Sequence, residues 1–433
     1  MAHYAKTRSI HPDALPIDTE LPYHHCMPPK KARAAAGATQ GEPAPDGLLF
    51  AIAPDEPVTS HGNDARPSSN KPEPEELLLP SHEEAKTLYT LAAQIKALAP
   101  WQWMDETDVF GVEDPETGEI GFVSVMGNIG EHEAIGVYLG SEGIYGFIDL
   151  HIDPSATAHR LLEIPQVQLS FSEPKFLEKR DRDLLKASGL KFSGNKPQFR
   201  SYRPGFLPWF ITLEEARLLI HALAQTLEVT KRFGAQSVEF PMSDGAGEAE
   251  PFLVRVSRNA ETSRKEDSKR TGSSSSVWVD QIQRIPPPDI RPNDFSLDAS
   301  LLRKLKEIPL STMQLEADLF IGPGRVGKPN ERPMALYMLM LADRHSGMIL
   351  GFEALGADPS LDSMYASIPG KIVELLPANN VLPKQIIVRS ELLLDLLEPI
   401  ATELKIQLRQ ADELPAIDEA SASMMRFVQT GKM

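Results

Sequence analysis

Four clusters in the chain carry residue types at spacings that could do chemistry. His24, His25 and Cys26 are consecutive and could chelate a metal ion. Asp149, His151 and Asp153 alternate at the end of an apolar run, Ile148 to Ile152; on a strand they would share one face, with His132 as a further candidate ligand. Gly127-Asn128-Ile129-Gly130 reads as a glycine turn leading into a helix, where backbone N–H groups could cradle an anion. Lys175 to Gly205 holds nine Lys/Arg against three acids, a local charge of +6, with Phe176, Phe192, Phe199 and Tyr202 interleaved. Basic grooves lined with stacking aromatics hold single-stranded nucleic acid. Arg200, Tyr202 and Arg203 sit in the segment Pro197 to Gly205 that would make the contact.

Each cluster also has a plainer reading. The His/Cys triplet lacks a full ligand set and a defined geometry. The Asp149 group is a polar strand edge before the turn at Pro154. The glycine turn contains no Lys or Arg and is followed by Glu131 and Glu133, so positive φ is reason enough for its glycines. The basic stretch reads as a long loop pinned by its aromatics and solvated by its cations. The whole chain favours that version: its 433 residues carry a net charge of −17. A strongly acidic protein is a poor match for nucleic acid or for an anionic membrane surface. These features favour a protein partner over nucleic acid.

The elements that must position these groups are legible in outline. Residues 1–79 are rich in Pro, Ala, Ser and acids and read as a disordered tail; Leu48 to Ile52 is its one apolar cluster. Ser81 with Glu84, and Thr212 with Glu215, are capping boxes opening helices. Val109 to Val125 reads as a hairpin about Asp114–Gly118, and Val167 to Phe171 as a strand. Phe252 to Ser257 and Val277 to Ile282 read as paired strands around a polar insertion at 259–276. Pro286-Pro287-Pro288 is a stiff spacer. The expected organisation is therefore a tail, an α+β domain over 81–290, and an α/β domain over 295–433. A single cysteine excludes an internal disulfide framework, and neither a secretory leader nor a membrane-spanning run is present, which places the expected location in the cytoplasm.

From Met313 onward strands and helices alternate as β-β-β-α-β-α-β-α. Leu315 to Ile321 is a strand with acids, Ala335 to Asp343 an apolar strand, and Arg344-His345-Ser346-Gly347 the turn into a third strand, Met348 to Leu355. Gln385 to Val388 and Ile406 to Gln410 are short strands, with a Pro399-containing helix between them and an acidic helix last. In that order, and in the segments Leu341 to Gly351 and Pro383 to Val388, residues 313–428 resemble the RNase H-like core of integrases and transposases. The resemblance implies a mixed five-stranded sheet with flanking helices. It also implies carboxylates that gather divalent ions, with Mg²⁺ as the cofactor of a nuclease or strand-transfer reaction. Asp318 stands at the first acid position and Asp418 or Glu419 at the last. Arg389 stands where the middle acid belongs, and Asp343, Asp362 and Glu391 are the nearest replacements. A guanidinium there repels metal ions, so the expectation is a catalytically degenerate core, without cofactor, in which Asp318 pairs with Arg389. The segment 312–430 holds 10 Lys/Arg against 16 acids, and Arg325, Lys328, Arg332 and Arg344 are left as a small basic rim. Trp103 to Asp114, Val125-Met126-Gly127 and Phe199 to Trp209, together with this core, also resemble an uncharacterised bacterial two-domain family, which implies no activity.

Overall fold

The computed structural model describes residues 79–128, 130, 132–152, 158–236, 240–241, 249–258, 277–289, 299–328, 331–378 and 382–430. The tail before Leu79, with His24, His25 and Cys26, lies outside the described residues, as do Asp153 and the insertion at 259–276.

The chain builds two mixed sheets. The first begins after helix α1 (His82–Leu98), whose N-terminus Ser81 and Glu84 cap reciprocally: the Ser81 N–H donates to Glu84 at 2.8 Å and the Glu84 N–H to Ser81 Oγ at 3.3 Å. Strands β1 (Phe110–Glu113) and β2 (Ile120–Met126) form a hairpin. Its turn is tied by Asp114, which accepts from the Glu116 N–H and the Thr117 hydroxyl. There follow β3 (Ala134–Leu139), α2 (Gly140–Ile152), α3 (Ala158–Leu161), β4 (Gln166–Ser172), α4 (Lys179–Ser188), β5 (Lys196–Tyr202), α5 (Leu213–Gly234), β6 (Glu250–Arg258) and β7 (Val277–Ile285). The order across the sheet is β5-β4-β3-β2-β1-β6-β7, antiparallel except where β6 runs parallel to β1. Helices α1 and α5 cover one face, where Leu88, Ile95, Leu219 and Leu223 meet Val123, Val137 and Leu169. Helix α2 covers the other, with Ile144 and Phe147 against Phe122 and Tyr138.

Three sequence expectations are corrected here. The glycine turn leads into a strand, β3, because Ala134 to Tyr138 is buried on both faces, as a central strand requires. Asp149 and His151 stand on helix α2, since Ile144, Phe147 and Ile148 recur at helical spacing. Residues two apart on a helix point in different directions. Residues 175–205 contain a helix, α4, and an edge strand, β5, rather than one long loop.

The second sheet follows α6 (Ala299–Glu307). It contains β8 (Gln314–Val326), β9 (Met334–Asp343), β10 (Ile349–Leu355), β11 (Gln385–Val388) and β12 (Gln407–Gln410), with α7 (Leu361–Ala378), α8 (Glu391–Leu404) and α9 (Pro415–Thr430) interposed. The order is β10-β9-β8-β11-β12; β8, β9 and β10 are antiparallel neighbours, and β11 and β12 run parallel to β8. Helices α6, α7 and α8 bury Leu305, Ile368, Ile372 and Leu397 against one face. Helix α9 alone among them packs on the other, with Ile417 near Met340 and Ile387.

The two sheets are directly joined. Phe206 and Met334 form a bridge, flanked by Leu207 N–H to Pro333 O (2.9 Å) and Ala335 N–H to Gly205 O (3.0 Å). Gly205 is required there: its φ is +84°, and a Cβ would lie 2.2 Å from that of Ala357. Arg332 reaches across to Ser201 Oγ at 2.8 Å, Tyr365 donates to Glu163 at 2.6 Å, and Leu162 is buried in the second sheet's core. Among the described residues no helix is long and apolar enough to cross a membrane.

Candidate functional site: a guanidinium between carboxylates

Strand β8 alternates its side chains. Leu315 and Ala317 enter the helix-covered core, so Glu316 and Asp318 face α9. Strand β11 runs parallel beside β8 and ends at Val388, which delivers Arg389 to the same end of the sheet. The next residue, Ser390, caps α8 by accepting from the Leu393 N–H at 3.2 Å. Arg389 is therefore fixed between a strand end and a helix start.

Each nitrogen of its guanidinium donates a hydrogen bond. Nε donates to Asp318 Oδ2 at 3.0 Å, Nη2 to Asp418 Oδ1 at 2.5 Å, and Nη1 to the Asp412 carbonyl at 2.8 Å. The second oxygen of each acid is also occupied: Asp318 Oδ1 accepts from the Leu319 N–H at 3.0 Å and Asp418 Oδ2 from the Leu414 N–H at 3.2 Å. Burial pushes the Asp318 carboxyl above its ordinary value, more than the Arg389 charge pulls it back. For Arg389 burial works downward, but the two aspartates outweigh it and hold the guanidinium above its usual value.

Glu316, which sequence reasoning passed over, is the most buried acid of the group. It accepts from the Ala416 and Ile417 N–H groups at 2.9 and 3.2 Å, and from Arg344 at 2.8 Å. A carboxylate on the open N–H groups of a helix start satisfies donors that have no partner within the helix and complements the helix dipole. Its place two residues from Asp318 on an alternating strand was the available signal. Glu316 and Arg389 thus pin α9 to the sheet from two directions.

The other acids are elsewhere. Asp343 pairs across the sheet with Leu315, which puts it on the face opposite Asp318. There it accepts from the Ser346 N–H (3.0 Å) and hydroxyl (2.5 Å), closing the β9–β10 turn, and these bonds hold its carboxyl below the ordinary range. Glu419 is exposed on α9, Asp362 lies in the first turn of α7, and Glu391 opens α8. Among the described residues no three His, Cys, Asp or Glu side chains gather to hold a metal ion. A Mg²⁺ ion needs several carboxylate oxygens free to converge; here the facing oxygens of Asp318 and Asp418 are taken by one cation, so these residues do not fit the ion.

The basic candidates separate into two groups. Arg200 is buried and bidentate on Asp181, at 2.9 and 2.6 Å, with Glu178 at 3.3 Å and the Phe210 ring against its guanidinium. Tyr202 is likewise turned inward, donating to Gln168 at 2.8 Å. Strand β5 places both on the sheet, where Arg200 meets Glu178 and Asp181 from the α4 segment and Tyr202 meets Gln168 of β4. Arg332 is spent in the joint and Arg344 on Glu316. Arg203, packed over Phe206, and Arg325 and Lys328 remain exposed, with Lys328 3.6 Å from Glu331. His151 bonds Glu106 at 3.1 Å and the Phe147 carbonyl at 2.9 Å, whereas burial lowers the pKa of His132, which lies 3.5 Å from Gln168.

No curated protein matches the chain. Residues 86–251 match a family model described as Domain of unknown function (DUF7309), and residues 301–425 match one described as Domain of unknown function (DUF6930). The first match spans β1 to β5 and the first residues of β6, and the second spans β8 to β12.

Proposed function

We propose that this is a non-catalytic interaction protein of the cytoplasm whose second domain, over 295–433, is an RNase H-like scaffold with its chemistry replaced by an ion-pair lock. The strand order β10-β9-β8-β11-β12, with three antiparallel strands followed by two parallel ones, supports the fold assignment. The observation that carries the functional reading is the Arg389 guanidinium bridging Asp318 and Asp418. Phosphodiester cleavage with metal ions requires carboxylates that converge on cations from solution. A guanidinium already neutralises these two, and it also ties down the helix that would close the site. The partner class that suits a chain of net charge −17 is another protein.

The test is cleavage of single- and double-stranded DNA and RNA by the purified chain in Mg²⁺ and Mn²⁺. The reading expects no activity above that of Asp318→Ala. Metal-dependent cleavage that disappears in Asp318→Ala would overturn it and restore a nuclease or strand-transfer enzyme built on Asp318, Asp343, Asp418 and Glu419.

A second reading, binding of single-stranded nucleic acid, is favoured by one observation. The Gly205–Ala335 and Arg325–Ala335 pairings bring the Arg203 and Arg325 segments, one from each sheet, to the same joint. Binding that weakens steeply with salt and is lost in Arg203→Ala/Arg325→Ala would select it.

A further inference from the structure

We infer that Glu163 makes the joint between the two sheets proton-linked: the joint is tight with the carboxyl neutral and loosens when it ionises. Glu163 follows Leu162, and the two residues cross together from the seven-stranded half into the five-stranded one. Leu162 is buried in the second core. Glu163 is held by two tyrosines of that half, both buried. Tyr365 of α7 donates to its Oε1 at 2.6 Å. Tyr337 of β9 faces the same carboxyl, yet its buried hydroxyl completes no hydrogen bond.

The groups that face Glu163 are these two phenols and Arg160 on α3. Burial pushes both phenols up, so they keep their protons. A guanidinium stays cationic at any working pH. Of the four groups, Glu163 is therefore the one that titrates. Burial raises its carboxyl above the ordinary value, against the pull of Tyr365, Arg160 and Tyr337. A neutral carboxyl is acceptor and donor at once. It accepts from Tyr365 and has a proton to offer the Tyr337 oxygen. An ionised carboxyl only accepts, and its charge stands among apolar and aromatic groups at a desolvation cost. Arg160 offsets part of that cost, but it belongs to the same half as Glu163. Opening the joint therefore keeps that attraction and returns the charge to water. It also uncovers Leu162 and the partly buried Tyr202 and Leu207 packed beside it.

Amide exchange in the full chain tests the inference. The Leu207 and Ala335 N–H groups bond across the joint. Their protection is measured from pH 4 to 8 and corrected for the pH dependence of free amides. Expected is a decline as pH climbs from about 4.3, by up to about tenfold per pH unit, that levels off above the folded value of Glu163. Amides of β3 and β11, away from the joint, hold their protection. Glu163→Gln removes the decline. Tyr365→Phe deletes a donor that favours the ionised form, so the levelling-off moves to higher pH. A merely structural contact would instead lower protection equally at every pH. Flat protection in the unmodified chain overturns the inference, as does a decline that survives in Glu163→Gln or is shared by β3 and β11. An unmoved levelling-off in Tyr365→Phe overturns it too.

Discussion

Two arginines in this molecule do similar chemistry in opposite settings. Arg200 and Arg389 each grip two acids, and each lies on or beside a short strand of its sheet. Arg200 is sealed: its acids come from the adjacent helix α4, nineteen and twenty-two residues back in sequence, and Phe210 closes over it. Arg389 is half-buried, and its acids come from a strand and a helix 71 and 29 residues away. The first pair consolidates a local unit. The second fastens a late helix to a sheet. A guanidinium's worth therefore depends less on how many carboxylates it meets than on how much water is left around them and on what those carboxylates are attached to.

That contrast can be broken or sharpened by measurement. Arg200→Ala leaves Asp181 buried without its cation and should cost about 3–5 kcal/mol of unfolding free energy in urea. A loss smaller than that of Arg389→Ala would reverse the ranking of the two sites. Arg389→Ala should cost about 2 kcal/mol, the scale of hydrogen bonds to charged groups. Its damage should fall on α9, seen as faster amide exchange there. Adding Asp318→Asn should restore about 1 kcal/mol, because an amide tolerates the buried position without a counter-charge. If it restores nothing, Asp318 is not the group that Arg389 compensates.

Acid titration should separate Asp318 from Asp343. The Asp318 carboxyl is raised, so its contribution is full when protonated and declines as pH climbs from about 3.9, the unfolded value, through the higher folded one. The Asp343 carboxyl is depressed by Ser346, so its contribution is full above about 3.9 and is lost as pH falls through the lower folded value. Stability measured between pH 2 and 7 should accordingly flatten below about 3.9 in Asp343→Asn and above about 3.9 in Asp318→Asn. The smallest effect should come from His151, whose pKa the Glu106 bond raises against the opposing effect of burial. Its stabilisation is present below about 6.5 and fades as pH rises through the folded value, and Glu106→Gln should remove roughly 0.5 kcal/mol of it at pH 6.

How far these features could be read from the sequence depended on how local their causes are. The capping boxes at Ser81 and Thr212 formed where their spacing placed them, because a cap involves four consecutive residues. The strand–helix alternation after Met313 was legible for the same reason. Helix α2 was not, because its glycines lower helix propensity and exist for tertiary contact. A Cβ on Gly143 would come within 2.7 Å of the Tyr138 backbone, and one on Gly146 within 3.0 Å of Ile164. The partners of Arg200 and Tyr202 were not legible, because composition reports a side chain but not what it meets. The +6 charge of residues 175–205 counts acids that α4 folds directly onto those cations. Glu316 was missed for the opposite reason: one acid in its strand drew attention away from the other.

The joint at Gly205 and Leu162 has a practical corollary for anyone dividing the protein. Leu162 is supplied by the seven-stranded half yet fills the core of the five-stranded half, and Tyr202 and Leu207 pack beside it. A fragment cut at the proline spacer would leave a socket in one piece and an apolar plug on the other. The spacer that looks like a natural place to split the chain is therefore a poor expression boundary, and the two halves should melt in a single calorimetric transition.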